Sequence, residues 1–167
     1  MVAATEYISF GFTDELNRLK RRNINNTNRK FYNCGGYALG TFSWYCPHDE
    51  RDYDIYNKFF TMEERTKMAV DYMLKDFPDL RVISSIKEVE TDEFLIAFRL
   101  SEDDFHYMVK KENHKWYSKS GSCPKIDTFP QEMVLSECWV MDDGYYYDGP
   151  LVLFAKKKFF KKIPKNY

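Results

Sequence analysis

A chain of 167 residues is long enough for one domain with a single core and too short for two ordinary ones. Hydrophobic residues make up 44% of the chain and aromatic residues 18%, which excludes disorder throughout. The 25 basic and 26 acidic residues give a net charge of −1, so nucleic acid is not expected as a partner. We therefore predict a single domain over residues 1–167, with a basic C-terminal tail over 159–167.

The first residues, MVAATEYISFGF, lack the basic segment, apolar core and cleavage site of a signal peptide. No apolar run has the length that a membrane span needs. A cytoplasmic protein is therefore predicted, with its cysteines as reduced thiols: Cys34, Cys46, Cys123 and Cys138. Disulfides would be expected only if the protein reached an oxidising compartment by another route.

The N-terminal half is predicted to contain helices. The first runs from Thr13 to about Arg22, with Thr13 or Asp14 as its cap. A second is predicted from Cys34 to about Trp44, although three glycines within it lower its helix propensity.

The third predicted helix, from Thr61 to about Asp76, has the strongest pattern. Thr61 and Glu64 form a capping box, and Pro78 ends the helix. Apolar side chains recur at helical spacing and predict the inward face: Met68, Ala69, Tyr72 and Met73.

The C-terminal half is predicted to be strands, at RVISSI, EFLIAFRL, DFHYMVK, KWYSK and YYYDGPLVLFAKK. In the second of them, Phe94, Ile96, Phe98 and Leu100 alternate as in a strand buried on one face. DFHYMVK and KWYSK flank Glu112, Asn113 and His114, a spacing that predicts a hairpin. The fold class is therefore α+β, with N-terminal helices packed on a C-terminal antiparallel sheet.

The stretch FYNCGGYALGT places Cys34 at the first turn of a predicted helix. The positive end of a helix dipole favours a thiolate there, and the neighbouring glycines would let a substrate backbone approach. Among the three histidines, His48 lies in a loop close to Cys34 in sequence, and His114 lies at the hairpin turn. His106, on a strand, is the best candidate base. Composition and spacing alone also allow Cys34 and His106 to be ordinary core residues.

Two blocks, YNCGGYALG and DFHYMVKKENHKWYSKSGSCP, resemble small bacterial and phage members of the papain-like cysteine peptidase superfamily, a group that includes NlpC-type cell-wall hydrolases. The resemblance implies a papain-like core, Cys34 as nucleophile and His106 as general base. Lys119 and Gly121 match the family pattern. Ser118 stands where that pattern has a histidine that orients the base, and its hydroxyl is expected to take over this task.

The resemblance implies a cysteine-dependent hydrolase of an amide or peptide bond, related to peptidases and amidases and equally able to perform acyl transfer or deamidation. It would start from a thiolate–imidazolium pair, act on a peptide or protein and need no cofactor. The alternative is a non-enzymatic protein on the same fold, such as a phage protein that binds a host factor in the host cytoplasm. Cys46, His48 and Asp49 lack the second ligand pair of a zinc site and predict a structural loop.

Overall fold

The computed structural model describes residues 31–110 and 115–158. Three α-helices lie in these ranges: α1 (Cys34–Ala38), α2 (Met62–Asp76) and α3 (Gln131–Val134). Eight strands follow one another as β1 (Leu80–Ile83), β2 (Glu93–Leu100), β3 (Phe105–Lys110), β4 (Trp116–Lys119), β5 (Ile126–Phe129), β6 (Trp139–Val140), β7 (Tyr146–Tyr147) and β8 (Val152–Lys157). The helix predicted from Thr13, the hairpin residues 112–114 and the tail after Lys158 lie outside the described residues.

The described strands form a six-stranded sheet in the order β1-β8-β2-β3-β4-β5 and a separate β6–β7 pair. Every neighbouring pair in the larger sheet is antiparallel, which confirms the α+β class. The predicted pairing of β3 with β4 is confirmed by Val109 opposite Tyr117 and Lys110 opposite Trp116. None of the helices in the described ranges has the length and apolar character to cross a membrane.

Helix α2 follows the prediction closely, except that Tyr72, predicted on the inward face, is only half-buried and lies outside the core. The Thr61 hydroxyl accepts the N–H of Glu64 at 3.1 Å, and the helix ends at Asp76, two residues before Pro78. Ala69 and Met73 are buried, and Met68 packs against the same core. The capping residue and the helical spacing of the apolar side chains thus explain this element without reference to the rest of the fold.

Helix α1 is shorter than predicted: it ends at Ala38 rather than near Trp44. Gly40 and Phe42 have positive φ angles of 75° and 52°, so the chain reverses at this point. The N–H of Phe42 then donates to the carbonyl of Gly36 at 3.0 Å. The residues after the reversal run back along α1, a packing that the local sequence does not encode.

Strand β2 is buried on both faces, and the prediction of a strand buried on one face was wrong. Phe94, Ile96, Phe98 and Leu100 pack on the side of α1 and α2, as their alternation predicts. Leu95 and Ala97 pack on the other side against residues of the segment after β5, including Val134 and Trp139. Strand β2 is covered twice because the chain after β5 folds back over the sheet.

The segment YYYDGPLVLFAKK is two strands rather than one. Tyr146–Tyr147 pairs with β6, whereas Val152–Lys157 inserts between β1 and β2 in the large sheet. Gly149, between them, lies against the backbone of Leu100 and donates its N–H to that carbonyl at 2.9 Å. A side-chain Cβ at Gly149 would lie 2.6 Å from the same oxygen, so the break requires a glycine.

Candidate functional site

A cavity of about 520 Å³ opens where β3 begins and β4 ends. Its walls come from the start of α1, the start of β3, the loop after β4 and the β6–β7 hairpin. Cys34 and His106, the two residues singled out as a catalytic pair, both line it. The structure therefore brings them to one cavity, although 72 positions separate them in the sequence.

Cys34 is held by a network centred on its neighbour Asn33. The Asn33 side-chain oxygen accepts the N–H groups of Gly36 and Tyr45, both at 3.0 Å. Its amide nitrogen donates to the Tyr45 carbonyl at 2.7 Å. One buried side chain therefore caps α1 and fixes the returning chain beside it, which sets the position of Cys34.

Gly35 and Gly36 serve packing within the protein. A Cβ at Gly36 would lie 1.7 Å from the Ser43 carbonyl oxygen, and one at Gly35 would lie 3.0 Å from that of Tyr45. The sequence-based interpretation was that these glycines let a substrate backbone approach. In the structure they make room for the protein's own returning chain instead. Glycine is needed here because the returning chain touches α1 directly.

Lys119 ties the segment before Cys34 to β4. Its side chain is fully buried, and its Nζ donates to the carbonyls of Tyr32 and Gly121 at 2.5 Å each. The ammonium also lies 4.9 Å from the centre of the Tyr32 ring. A buried lysine needs such partners to remain charged, so Lys119 fixes the start of α1 against the loop that follows β4.

His106 contacts Ser118 across the β3–β4 pair, as expected. The two atoms, Nε2 and Oγ, are 2.5 Å apart, and both side chains are buried. The imidazole also stacks on Tyr147, with ring centres 5.2 Å apart, and meets Trp139 edge-on. These contacts fix the ring orientation, and which nitrogen carries the proton decides the direction of the bond to Ser118.

Cys34 and His106 approach the cavity from different sides of the sheet. Cys34 packs in the core with Tyr107, whereas His106 belongs with Met108 and Tyr147 on the opposite side. Within the described residues no hydrogen bond joins the sulfur to the imidazole, and the only hydrogen bond of the ring is through Nε2. Nδ1 is the ring nitrogen left for a proton transfer.

Burial dominates the electrostatics of the cysteine. Desolvation raises the pKa of Cys34 to about 12, against smaller lowering effects from backbone hydrogen bonds of Tyr107 and Gly35 and from the charge of Lys119. A helix of only five residues contributes little dipole to oppose this. Near neutral pH, Cys34 is therefore a neutral thiol rather than the thiolate that the sequence predicts.

The imidazole is neutral as well. Burial lowers the pKa of His106 from 6.5 to about 4, and the carboxylates of Asp143 and Asp127 offset this only in part. A neutral imidazole can accept a proton, which is the requirement for a general base at neutral pH. The resting pair is thus a thiol and a neutral base, without the ion pair expected from the sequence.

This depressed pKa predicts a pH-dependent stability. Below pH 6.5 the unfolded chain binds a proton at His106, whereas the folded protein binds it only near pH 4. The contribution of His106 to the free energy of unfolding is therefore complete above pH 6.5 and is lost as the pH drops toward 4. The loss should approach about 3 kcal/mol at most. Urea unfolding at pH 7 and pH 4.5 measures it. His106→Gln should flatten the dependence, whereas His48→Gln should leave it unchanged; equal slopes for all three proteins would contradict the assignment.

Several residues of the cavity were not predicted from the sequence. They are Trp44 and Cys46 from the loop after α1, Asp104 before β3, and Asp143, Tyr145 and Tyr147 of the hairpin. Asp104 lies two positions before His106 in the block DFH, which is the only local signal for it. The hairpin residues carry no such signal because their place at the cavity depends on how the chain after β5 folds back.

The remaining predicted residues lie apart or serve structure. His48 contacts the Asp49 carbonyl at 2.7 Å and packs against Tyr53 and Tyr56 in its loop. All four cysteines are free, and Cys123 is exposed. Among the described residues, Glu90, Asp92 and Glu93 are close enough to share a metal ion, but Arg81 and Lys157 already pair with them.

Comparisons of the chain with protein-family models, with curated proteins and with solved structures found no match.

Proposed function

We propose that the protein is a cysteine-dependent hydrolase of amide or peptide bonds, built on a papain-like core. Cys34 is the nucleophile, His106 the general base and Ser118 the residue that orients the imidazole. The observation that carries the proposal is the buried contact between His106 and Ser118 at the wall of the cavity that Cys34 lines. A nucleophile, a base and a group that orients the base are the parts that such a hydrolase needs.

The neutral resting pair defines the first chemical step. As the sulfur of Cys34 attacks the substrate carbonyl, its proton passes to Nδ1 of His106, while Nε2 stays with Ser118. Backbone N–H groups at the start of α1, including that of Cys34, would donate to the oxyanion. The imidazolium then gives its proton to the leaving amine, and water attacks the resulting thioester. Transfer of the acyl group to an amine, or deamidation, would use the same residues.

An activated acyl donor tests the pair without a known substrate. With p-nitrophenyl acetate at pH 7, the protein should release p-nitrophenol repeatedly and carry the acetyl group on Cys34, located by mass spectrometry. Cys34→Ala and His106→Ala should each reduce the rate by at least about 100-fold. Ser118→Ala should reduce it about tenfold, the effect of one buried hydrogen bond, whereas Ser118→His should preserve it.

Cys123 provides the control for unspecific acetylation, because it lines the same cavity but is exposed. Cys123→Ala should leave the turnover unchanged. Acetylation at Cys123 without any at Cys34, or equal rates for Ser118→Ala, His106→Ala and the native protein, would contradict the proposal.

A second candidate is a protein that binds a partner on the same fold without catalysis. It is favoured by the raised pKa of Cys34, which opposes nucleophilic attack, and by large exposed aromatic side chains that line the cavity, Trp44 and Tyr145. Failure of the acylation experiment in a folded protein would support this candidate.

A further inference from the structure

Within the part of the chain that the structure describes, the cavity beside Cys34 carries negative charge without a fixed counter-ion. Among the described residues that line it, the side chains with a formal charge are Asp104 and Asp143, because burial keeps His106 neutral. No lysine or arginine of the described ranges forms an ion pair with either carboxylate. Asp104 is half-buried and Asp143 is exposed, so Asp104 in particular lacks, within the described residues, the ion-pair partner that a half-buried carboxylate usually has.

Both carboxylates are held in position by neutral donors. Asp104 accepts the N–H of Phe105 at 2.8 Å with Oδ1 and the hydroxyl of Tyr147 at 2.7 Å with Oδ2. Asp143 accepts the N–H of Tyr145 at 3.0 Å. These bonds orient the oxygens but leave the charge in place. Burial raises the pKa of Asp104, and the charges of Asp103 and Asp143 add to that rise, so the carboxylates repel each other.

Exposed aromatic side chains stand beside the carboxylates. Trp44, from the loop after α1, is 54% exposed, and Tyr145, from the hairpin, is 47% exposed. The face of an indole or phenol ring attracts a cation and also packs well against the methylene stem of a long basic side chain. Carboxylates combined with open aromatic faces suit a cationic group better than an anionic or purely apolar one.

We propose that the cavity binds the side chain of a lysine or arginine in a peptide substrate, with Asp104 and Asp143 as its counter-ions and Trp44 and Tyr145 packing against its stem. That the bound peptide is a substrate rests on the proposed function. That its side chain is cationic rests on the charges of the cavity. Occupation of the site also has a consequence for the nucleophile. The negative charge of Asp104 opposes ionisation of Cys34, and a bound cation offsets it.

Binding can be measured separately from catalysis in the Cys34→Ala protein. The probes are five acetylated and amidated peptides, Ac-Ala-Ala-Xaa-Ala-Ala-NH2, in which Xaa is arginine, lysine, citrulline, norleucine or glutamate. Citrulline matches arginine in shape and norleucine resembles the lysine stem, so each pair isolates the charge. By isothermal titration calorimetry the arginine and lysine peptides should bind at least tenfold more tightly than their neutral counterparts, and the glutamate peptide most weakly.

Single substitutions then assign the charge preference to the cavity. Asp143→Asn should reduce the preference for arginine over citrulline to about threefold or less, and Asp104→Asn should do the same if it folds, as checked by circular dichroism. Asp142→Asn is the matched control, since this exposed neighbour does not line the cavity. Equal affinities for the charged and neutral peptides, no binding of any peptide at millimolar concentration, or equal effects of Asp143→Asn and Asp142→Asn would overturn the proposal.

Hydrolysis of the same peptides by the native protein separates the two proposals. Charge-dependent binding without cleavage would retain the cationic site and remove the hydrolase. Cleavage with no preference for the basic peptides would retain the hydrolase and remove the cationic site.

Discussion

Gly36→Ala is expected to lower the free energy of unfolding by about 3 kcal/mol or more, because the added methyl group would overlap the backbone of the returning chain. Its Cβ would lie 1.7 Å from the Ser43 carbonyl oxygen. Ser43 cannot move away easily. The N–H of Phe42 is bonded to the Gly36 carbonyl, and Tyr45 is bonded twice to Asn33. Urea unfolding followed by circular dichroism measures the change.

Gly121→Ala is the matched control for this prediction. A Cβ at Gly121 has no atom within 4 Å, and only its positive φ of 46° disfavours alanine. It should cost about 1 kcal/mol. A loss for Gly36→Ala no larger than that of the control would show that the contact between α1 and Ser43 is looser than described.

Arg99→Met is expected to lower the free energy of unfolding by about 3 kcal/mol, because it leaves buried carbonyl groups without a donor. The guanidinium of Arg99 donates from Nη1 to Glu137 and Gly149, at 2.7 and 2.9 Å, and from Nη2 to Ser136. Methionine replaces most of the volume but none of these bonds. The loss should therefore reflect hydrogen bonding more than packing.

The matched control is Arg51→Met on an exposed loop, which should change stability by less than about 0.5 kcal/mol. Arg99 also bears on the cavity, because Ser136 and Glu137 lead into the hairpin that carries Asp143 and Tyr145. Binding of the arginine peptide should consequently weaken in Arg99→Met. A stability loss below about 1 kcal/mol would contradict the structural role given to the guanidinium.

Local sequence signals predicted the helices and strands that depend mainly on neighbouring residues. Helix α2 begins after its capping residue, Thr61, and ends two residues before Pro78. Strands β3 and β4 pair as their spacing requires. The contact between His106 and Ser118 is diagonal across that pair, because the register puts Ser118 opposite Met108 and His106 lies two residues away on the same face of β3. The predicted length of helix α1 was wrong because its end is set by contacts with residues 43–45, which no short-range sequence pattern indicates.

The sequence by itself determined the α+β class, helix α2 and the β3–β4 pair on which His106 and Ser118 lie, because capping, periodicity and strand pairing act over a few residues. Only the tertiary structure decided the chemical state of the site. The depth at which Cys34 and His106 lie sets their protonation, and the fold-back after β5 brings Asp143 and Tyr145 to the cavity. Desolvation and long-range packing depend on every element around a residue, so they appear only once the whole chain has folded.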